Sequence, residues 1–496
     1  MNSSLRKAAI AALALASGTT ISAALSSDSA ASPVTLTPCY VEGVKEELRC
    51  GVYNVFENRQ TRKGRMLPLK IILIPAKHPH PDDGPIFYMA GGPGETATEL
   101  AELVADSGDS DEHDIVLVDE RGTGDGHRLD CRGPGSDDNL EAYLNGPFDP
   151  AAARACRDEL SKQYDLTQYS TPNFVEDIDE VRRAMGYDRI HLSAGSFGTY
   201  AALMYMRRHP EHVRTAYLSS LVPLSNRVPL YHAEAAQLAL DELFRECDED
   251  APCQATYPRL RENFAALRQK VREAPVLTSV RHPVTGVRTE IHLTERAFGD
   301  ALRVMMYRAP SAREIPFLID QAVVGDFTPF GEAAVRASRG IYSGARMGLH
   351  YAITCNEFVS RIKPEDVEPA TGESFLGSWR VRDQMTACKD WPKTELPADW
   401  FDPFRSEVPA VLVSGETDAT GSRGRWGNEV ASYMPNAAHV IVPGGGHTPD
   451  NDCIRSIRHQ LFRTGTTKNL DTDCMGKLQR PPFKLPAKTA EGNPAP

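Results

Sequence analysis

Short runs of apolar residues recur along the chain, and each of them leads into a turn rich in glycine. The first two are Ile86–Met89 and Ile115–Val118, and a third opens the stretch RIHLSAGSFG at residues 189–198. Two more lie late, within residues 408–418 and 437–447. Near-continuous apolar runs of this length predict strands that are buried on both faces, as in a parallel sheet. With helix-like segments such as FVEDIDEVRRAMG between them, they predict an α/β fold.

The apolar pattern changes to a helical period from about residue 226 to 400. Leu260, Phe264, Leu267 and Val271 recur at helical spacing, and residues 231–247 and 294–308 show the same pattern. We interpret residues 226–400 as a mostly helical insertion and call it the cap segment. The predicted core then has two parts, and a proline-rich, flexible tail follows them. These divisions are residues 31–225 and 401–480 for the core and 481–496 for the tail.

Residues 1–30 have the composition of an export signal. Arg6 and Lys7 precede an alanine-rich apolar run, and small residues follow it. A membrane anchor is the alternative, but residues 17–20 interrupt the run and leave it short for a bilayer span. We therefore expect a secreted or periplasmic protein that has no membrane segment after signal cleavage.

Composition and charge exclude some classes of function. The 496 residues are 41% hydrophobic and 25% charged, which is enough for a large core and a second domain. The net charge of −12 comes without clustered lysine and arginine, which excludes a nucleic-acid surface. The motif RGTGDG lacks the Gly-Lys-Ser/Thr of a phosphate loop. We expect no organic cofactor and no metal.

The ten cysteines fit an oxidising compartment. No Cys-x-x-Cys spacing indicates zinc or redox chemistry, and an even count in an exported chain indicates disulfides. Pairing neighbours in sequence predicts five local loops, with one or two free thiol pairs as the alternative. The predicted pairs are Cys39 with Cys50, Cys131 with Cys156, Cys247 with Cys253, Cys355 with Cys388, and Cys453 with Cys474.

The stretch RIHLSAGSFG contains two serines, either of which could be a nucleophile. A sharp strand-to-helix turn requires small residues two positions before and two positions after the nucleophile. Ser196 has Ala194 and Gly198 at those positions, whereas Ser193 would place His191 at the first. We therefore predict Ser196 as the nucleophile.

A serine hydroxyl needs a base and an orienting carboxylate, and the last two strands are followed by candidates for both. Asp418 follows one strand and His447 the other, with Glu416 and His439 as rivals. The chain order serine, aspartate, histidine is that of α/β-hydrolases. An oxyanion hole would be formed by backbone amides near Gly91 or Gly92, in the loop after the first of these strands, and by that of Phe197.

Seven motifs follow one another along the chain: GGPGE, DERGTG, YSTPNFVEDIDEVRRAMG, GSFGTYAALMYMRRHPEHV, AITCNE, VSGETD and GGGHTPDNDC. Together they resemble the secreted tripeptidyl aminopeptidase and prolyl iminopeptidase family of serine exopeptidases. The resemblance covers residues 39–480 and includes the cysteine positions. It implies an α/β-hydrolase core, a cap inserted after the sixth strand, and release of amino acids or short peptides from a free N-terminus.

The resemblance also implies a carboxylate for the substrate ammonium group. Glu357, in TCNEF, resembles the acidic position of the family, and Glu95 beside the oxyanion loop is the second candidate. Two motifs depart from the family, since Ser219 and Ser220 replace an acidic residue and glycine, and RGTGDG lacks a serine. A carboxylesterase with the same triad, or a disulfide-braced binding protein without catalysis, therefore stays an alternative.

Overall fold

A nine-stranded sheet forms the centre of the described structure, a computed structural model that describes residues 33–80, 83–131, 135–146 and 148–487, with the side chains of residues 341–343 and 422 left out. The predicted export signal lies outside these residues. The strands are β1 Thr37–Cys39, β2 Leu48–Phe56, β3 Met66–Ile74, β4 Ile86–Met89, β5 Ile115–Val118, β6 Ile190–Gly195, β7 Val213–Ser219, β8 Val276–Arg281, β9 Arg288–Leu293, β10 Ala410–Gly415 and β11 Ala437–Val442.

Seventeen α-helices are described, most of them between β7 and β10. They are α1 Ala101–Ala105, α2 Leu140–Tyr143, α3 Pro150–Leu160, α4 Thr171–Ala184, α5 Phe197–Arg208, α6 His232–Glu249, α7 Ala251–Thr256, α8 Leu260–Glu273, α9 Glu295–Met305, α10 Ala309–Ala312, α11 Ile315–Val323, α12 Thr328–Gly344, α13 Met347–Glu357, α14 Pro364–Thr371, α15 Trp379–Cys388, α16 Arg425–Tyr433 and α17 Asp452–Thr464.

The sheet has the order β1-β2-β3-β5-β4-β6-β7-β10-β11. The pairs among β1, β2, β3 and β5 are antiparallel, and every pair from β5 through β4 to β11 is parallel. The predicted α/β class with a mostly parallel sheet is confirmed.

Alternate positions of strand β5 fill two different cores, which explains why this strand is apolar throughout. On β5, Val116 and Val118 pack in a core with α4 and α5, whereas Ile115 and Leu117 pack in a core with α1 and α17. Helices thus cover both faces of the sheet, as the apolar pattern of this strand predicts. The carboxyl ends of the parallel strands stay open for a site.

The cap segment is mostly helical, but it also contains the antiparallel hairpin of β8 and β9, which the sequence pattern did not indicate. It follows β7, the sixth strand of the sheet when the three-residue edge strand β1 is left out. The described residues from Pro33 onward form one compact unit, so the boundaries drawn between core and cap segment stay a prediction. Every helix that the structure describes is too short or too polar to span a lipid bilayer.

All five predicted disulfides form, and they use all ten cysteines. The tail needs a correction, because part of it is fixed to the cap segment. Phe483 is buried under the guanidinium of Arg313, and the backbone N–H of Lys484 donates to the Arg313 carbonyl at 3.1 Å. Residues 488–496 lie outside the described residues.

Candidate active site

Ser196 occupies a sharp turn between β6 and α5. Its backbone has φ 55° and ψ −127°, a conformation that a residue with a side chain adopts only under strain. The turn is crowded, since a Cβ on Gly198 would collide with the carbonyl oxygen of Met89. The requirement for a small residue at position 198 therefore has a steric cause, and the strained turn presents the serine at the open end of the sheet.

Strand register places the Gly-Gly-Pro-Gly turn beside this serine. β4 pairs with β6 in parallel, with Met89 opposite Ala194, so the two loops leave the sheet side by side. A Cβ added to Gly91 would lie 3.3 Å from the Cβ of Ser196. Among the described residues, the backbone amides of Gly92 and Phe197 have no hydrogen-bond acceptor. Two unengaged donors therefore flank the serine.

The Gly91 amide, in contrast, already has an acceptor. It donates to the carboxylate oxygen Oε2 of Glu95 at 3.0 Å. Of the two glycines that the sequence indicated for the oxyanion hole, the geometry favours Gly92.

Asp418 and His447 form a hydrogen-bonded pair. Nδ1 of His447 lies 2.9 Å from Oδ2 and 3.1 Å from Oδ1 of Asp418. Burial alone would raise the pKa of this carboxyl, but His447, Thr420 and Ser220 stabilise its charge and lower the pKa to about 2. The aspartate is therefore ionised and fixes the orientation of the imidazole ring.

His447 and Ser196 line the same cavity, which has a volume of about 470 Å³. Their loops are in close contact, since a Cβ on Gly195 would lie 3.1 Å from Cγ2 of Thr448. Among the described residues, the Ser196 hydroxyl makes no hydrogen bond to the His447 ring. Such bonds are often loose before substrate is bound, and the shared cavity is the relevant observation.

Two family models match this chain. The model described as alpha/beta hydrolase fold matches residues 84–274, and the model described as TAP-like protein matches residues 373–474. The chain has the α/β-hydrolase fold. The match to the TAP-like model confirms the family resemblance that the sequence motifs indicated.

Curated relatives of this α/β-hydrolase carry peptidase names. A tripeptidyl aminopeptidase of Streptomyces lividans is 26% identical over 31% of each chain, and serine protease Hip1 of Mycobacterium tuberculosis is 26% identical over 45% of this chain and 46% of its own. A proline iminopeptidase of Neisseria gonorrhoeae is 25% identical over 29% of this chain and 34% of its own. The aligned segments thus span less than half of each relative.

A solved structure is also similar in outline. The proline iminopeptidase of Mycobacterium smegmatis aligns over 80% of this chain and 95% of its own, with 13% identity and a TM-score of 0.37. A TM-score of that size supports no inference about this chain.

Glu416 and His439, the alternative candidates for the acid and the base, have other partners in the structure. The Glu416 carboxylate accepts from the Gly444 amide at 2.8 Å and pairs with Arg480. His439 lies on β11, where its ring bonds Ser414 at 2.9 Å. Neither contacts the other members of the predicted triad.

Glu357 requires a correction, because its carboxylate does not reach the cavity. The side chain is fully buried at the end of α13, and Oε1 accepts from the Thr171 amide at 2.8 Å. Burial raises the pKa of this carboxyl to about 7. Glu357 lies two residues after Cys355, which indicated a fixed position but not the direction of its side chain. The structure does not support Glu357 as an amine-binding residue.

Glu95, the second candidate, does line the cavity with Ser196 and His447. Its Oε2 is held by the Gly91 amide, and its Oε1 has no hydrogen-bond partner among the described residues. Burial raises the pKa of the carboxyl, and the Gly91 amide and His447 oppose that shift. One carboxylate oxygen of Glu95 thus has no partner among the described residues, in the cavity that Ser196 and His447 also line.

The sequence analysis missed the residues that support Asp418. The hydroxyl of Ser220 donates to Oδ2 of Asp418 at 2.8 Å and accepts from the Thr448 amide at 2.7 Å. The amide and hydroxyl of Thr420 both donate to Oδ1 at 2.8 Å. The sequence signal for this support is the pair Ser219 and Ser220 at the end of β7, which departs from the family pattern.

A cluster of carboxylates elsewhere has the donor types of a metal site. Glu242, Glu246 and Glu416 bring carboxylate oxygens within 4.8 Å of one another. Arg313 pairs with Glu246, and Arg480 pairs with Glu246 and Glu416. Because guanidinium groups already compensate these charges, we interpret the cluster as an ion-pair network between core and cap segment.

Proposed function

We propose that this α/β-hydrolase is an exported serine aminopeptidase that removes amino acids or short peptides from free N-termini. The observation that carries the proposal is the hydrogen-bonded pair of Asp418 and His447 in the cavity that also contains the strained Ser196. The peptidase names of the relatives support the same reaction class.

In the proposed reaction, the oxygen of Ser196 attacks the substrate carbonyl while His447 accepts the hydroxyl proton. The amides of Gly92 and Phe197 donate to the oxyanion of the tetrahedral intermediate, which they can do because no other acceptor engages them. His447 then protonates the leaving amine, and the C–N bond breaks to leave an acyl-enzyme. Water attacks the ester with His447 as base, which restores the serine and releases the N-terminal product.

Selection for a free N-terminus is assigned to Glu95. Its unpartnered oxygen lies beside the reacting groups, where a substrate ammonium would supply both charge and donors. Glu95 is partly buried, and such a carboxylate gains more from a charged partner than an exposed one, because water competes less for it. We therefore expect discrimination against acylated N-termini.

The test compares peptidyl anilides of one to three residues with free and acetylated N-termini, together with short p-nitrophenyl esters. Wild type should prefer the free amine by at least about 10-fold in kcat/KM, since hydrogen bonds to charged groups contribute about 1.5–3 kcal/mol. Glu95→Gln should lose that preference, and Glu357→Gln, the matched control, should keep it. Equal rates on free and acetylated substrates, with faster ester turnover, would instead support a carboxylesterase.

A further inference from the structure

A second group of charged residues lines the cap side of the same cavity. Arg303 on α9 and Arg380 on α15 both contribute to its wall, and so does Asp300, one turn before Arg303 on α9. Two guanidinium groups therefore face one carboxylate. This part of the cavity has an excess of positive charge in the absence of substrate.

Arg380 has no counter-ion of its own. Among the described residues it forms no ion pair within 4.0 Å and no hydrogen bond, and its guanidinium carbon lies 5.0 Å from the centre of the Phe148 ring. Burial, and after it the nearby charge of Arg303, lowers the pKa of the Arg380 guanidinium to about 10. An unpaired cation in a desolvated position destabilises a fold, and such a group is normally paired.

Arg303 is only partly compensated. It is 4% exposed, its Nε lies 3.9 Å from Oδ1 of Asp300, and a second nitrogen donates to the hydroxyl of Tyr307. The Nε atoms of Arg303 and Arg380 are both buried and make no hydrogen bond among the described residues. Both guanidinium groups thus have donors available.

Two histidines in the same wall also have unpartnered ring nitrogens. Nδ1 of His232 and Nε2 of His350 are buried without a hydrogen-bond partner in the described part of the chain. Burial lowers the pKa of both imidazoles, to about 4 for His350. Such a set of unengaged polar atoms is typical of a surface whose partner is a ligand.

We propose that Arg380, with Arg303, binds a carboxylate of the substrate. The inference rests on the proposed function and adds a second recognition point to it: the ammonium group binds at Glu95 and an anionic group binds on the cap side. Arginine suits this role because its planar guanidinium can donate two parallel hydrogen bonds to one carboxylate. That carboxylate has two sources, the C-terminus of a short peptide and an acidic side chain.

The kinetic test separates the two sources. One arm compares oligoalanines of three to five residues as C-terminal acids and as C-terminal amides. The other uses C-terminally amidated peptides with glutamate or glutamine at each position in turn. Wild type should prefer the carboxylate form by about 10-fold or more in at least one arm, mainly through KM, as expected for a charge-assisted hydrogen bond.

Variants of α15 assign the preference to Arg380. Arg380→Gln should remove it and Arg380→Lys should retain part of it. The control is Arg382→Gln on the same helix, because Arg382 is exposed and bonds Ser378 outside the cavity. Since Arg380→Gln removes an unpaired charge, its midpoint of thermal unfolding should not fall below that of wild type.

A binding measurement keeps this inference distinct from the proposed function. Calorimetric titration of Ser196→Ala with the acid and amide forms should show tighter binding of the acid, and Arg380→Gln in that background should abolish the difference. This result would support the carboxylate site even if no peptide were hydrolysed. Equal affinity and equal kcat/KM for the charged and neutral forms in both arms would overturn it.

Discussion

The backbone N–H of His447 donates to the carbonyl oxygen of Tyr307 at 2.9 Å, and the rings of the two residues lie 4.8 Å apart. Tyr307 follows α9 in the cap segment, so the histidine loop of the core is fixed by a residue of the insertion. A Cβ on Gly446 would collide with the same carbonyl, which explains the glycine before the histidine. The cap segment thus positions the proposed base as well as lining the cavity.

Tyr307→Ala should lower kcat by about 3- to 10-fold, because it removes a ring contact that contributes about 0.5–1.5 kcal/mol to the orientation of His447. Tyr307→Phe keeps the ring and should stay within about 2-fold of wild type. The measurement is steady-state kinetics on a neutral anilide. Equal kcat for the alanine and phenylalanine variants would contradict a positioning role for the ring.

Asp418→Asn should lower kcat by about 10⁴-fold while the protein stays folded. The amide can keep the side-chain volume, but it lacks the charge that stabilises the imidazolium and it can hold the ring in the wrong tautomer. Because the pKa of Asp418 is lowered to about 2, wild-type activity should show no loss from protonation of this carboxyl above about pH 3. Kinetics of both proteins across pH 4–9 test these statements, and a mild effect of the substitution would contradict the assigned role.

Ser220→Ala should lower kcat by about 10-fold, because the Ser220 hydroxyl bridges Asp418 and the amide of Thr448. Ser219→Ala is the matched control, since it removes a hydroxyl from the same turn that bonds neither residue. If the two variants lose activity to the same extent, the bridge is not what supports the aspartate.

Glu357→Gln should stabilise the protein relative to wild type as the pH rises. Burial raises the pKa of Glu357 to about 7 in the folded protein, above about 4.3 for an unfolded glutamate. The folded state therefore binds this proton more tightly, and its stability falls as pH rises through that window. The variant has no such proton, so its advantage should grow by about 1–3 kcal/mol between pH 5 and pH 8.

The measurement for Glu357 is urea unfolding of both proteins at the two pH values. The neighbouring Glu120 carboxyl, whose pKa burial also raises, is present in both. A stability difference that does not change with pH would contradict the assignment of a raised pKa to Glu357.

Much of the fold and of the candidate site could be predicted because both depend on local pattern and chain order. The apolar runs Ile86–Met89 and Ile115–Val118 became β4 and β5 with the same bounds. Parallel strands end at one edge of a sheet, so residues after β6, β10 and β11 had to meet there. The positions of Ser196, Asp418 and His447 follow from this rule.

Features that depend on packing between distant segments could not be predicted in this way. The direction of the Glu357 side chain is set by its hydrogen bond to Thr171, the first residue of α4. The sequence around Cys355 does not indicate this contact. The bridge formed by Ser220 requires a backbone with φ 56° and a partner almost two hundred residues away. The anchoring of Phe483 under Arg313 likewise joins the tail to the end of α10, far from it in sequence.

Labelling with a fluorophosphonate followed by peptide mapping tests the central claim most directly. We predict a single modified site at Ser196, labelling that is lost in Ser196→Ala, and rates that are strongly reduced in His447→Ala and Asp418→Asn. An unlabelled Ser196 in the folded protein, or a modified residue elsewhere, would contradict a nucleophile activated by His447 and Asp418.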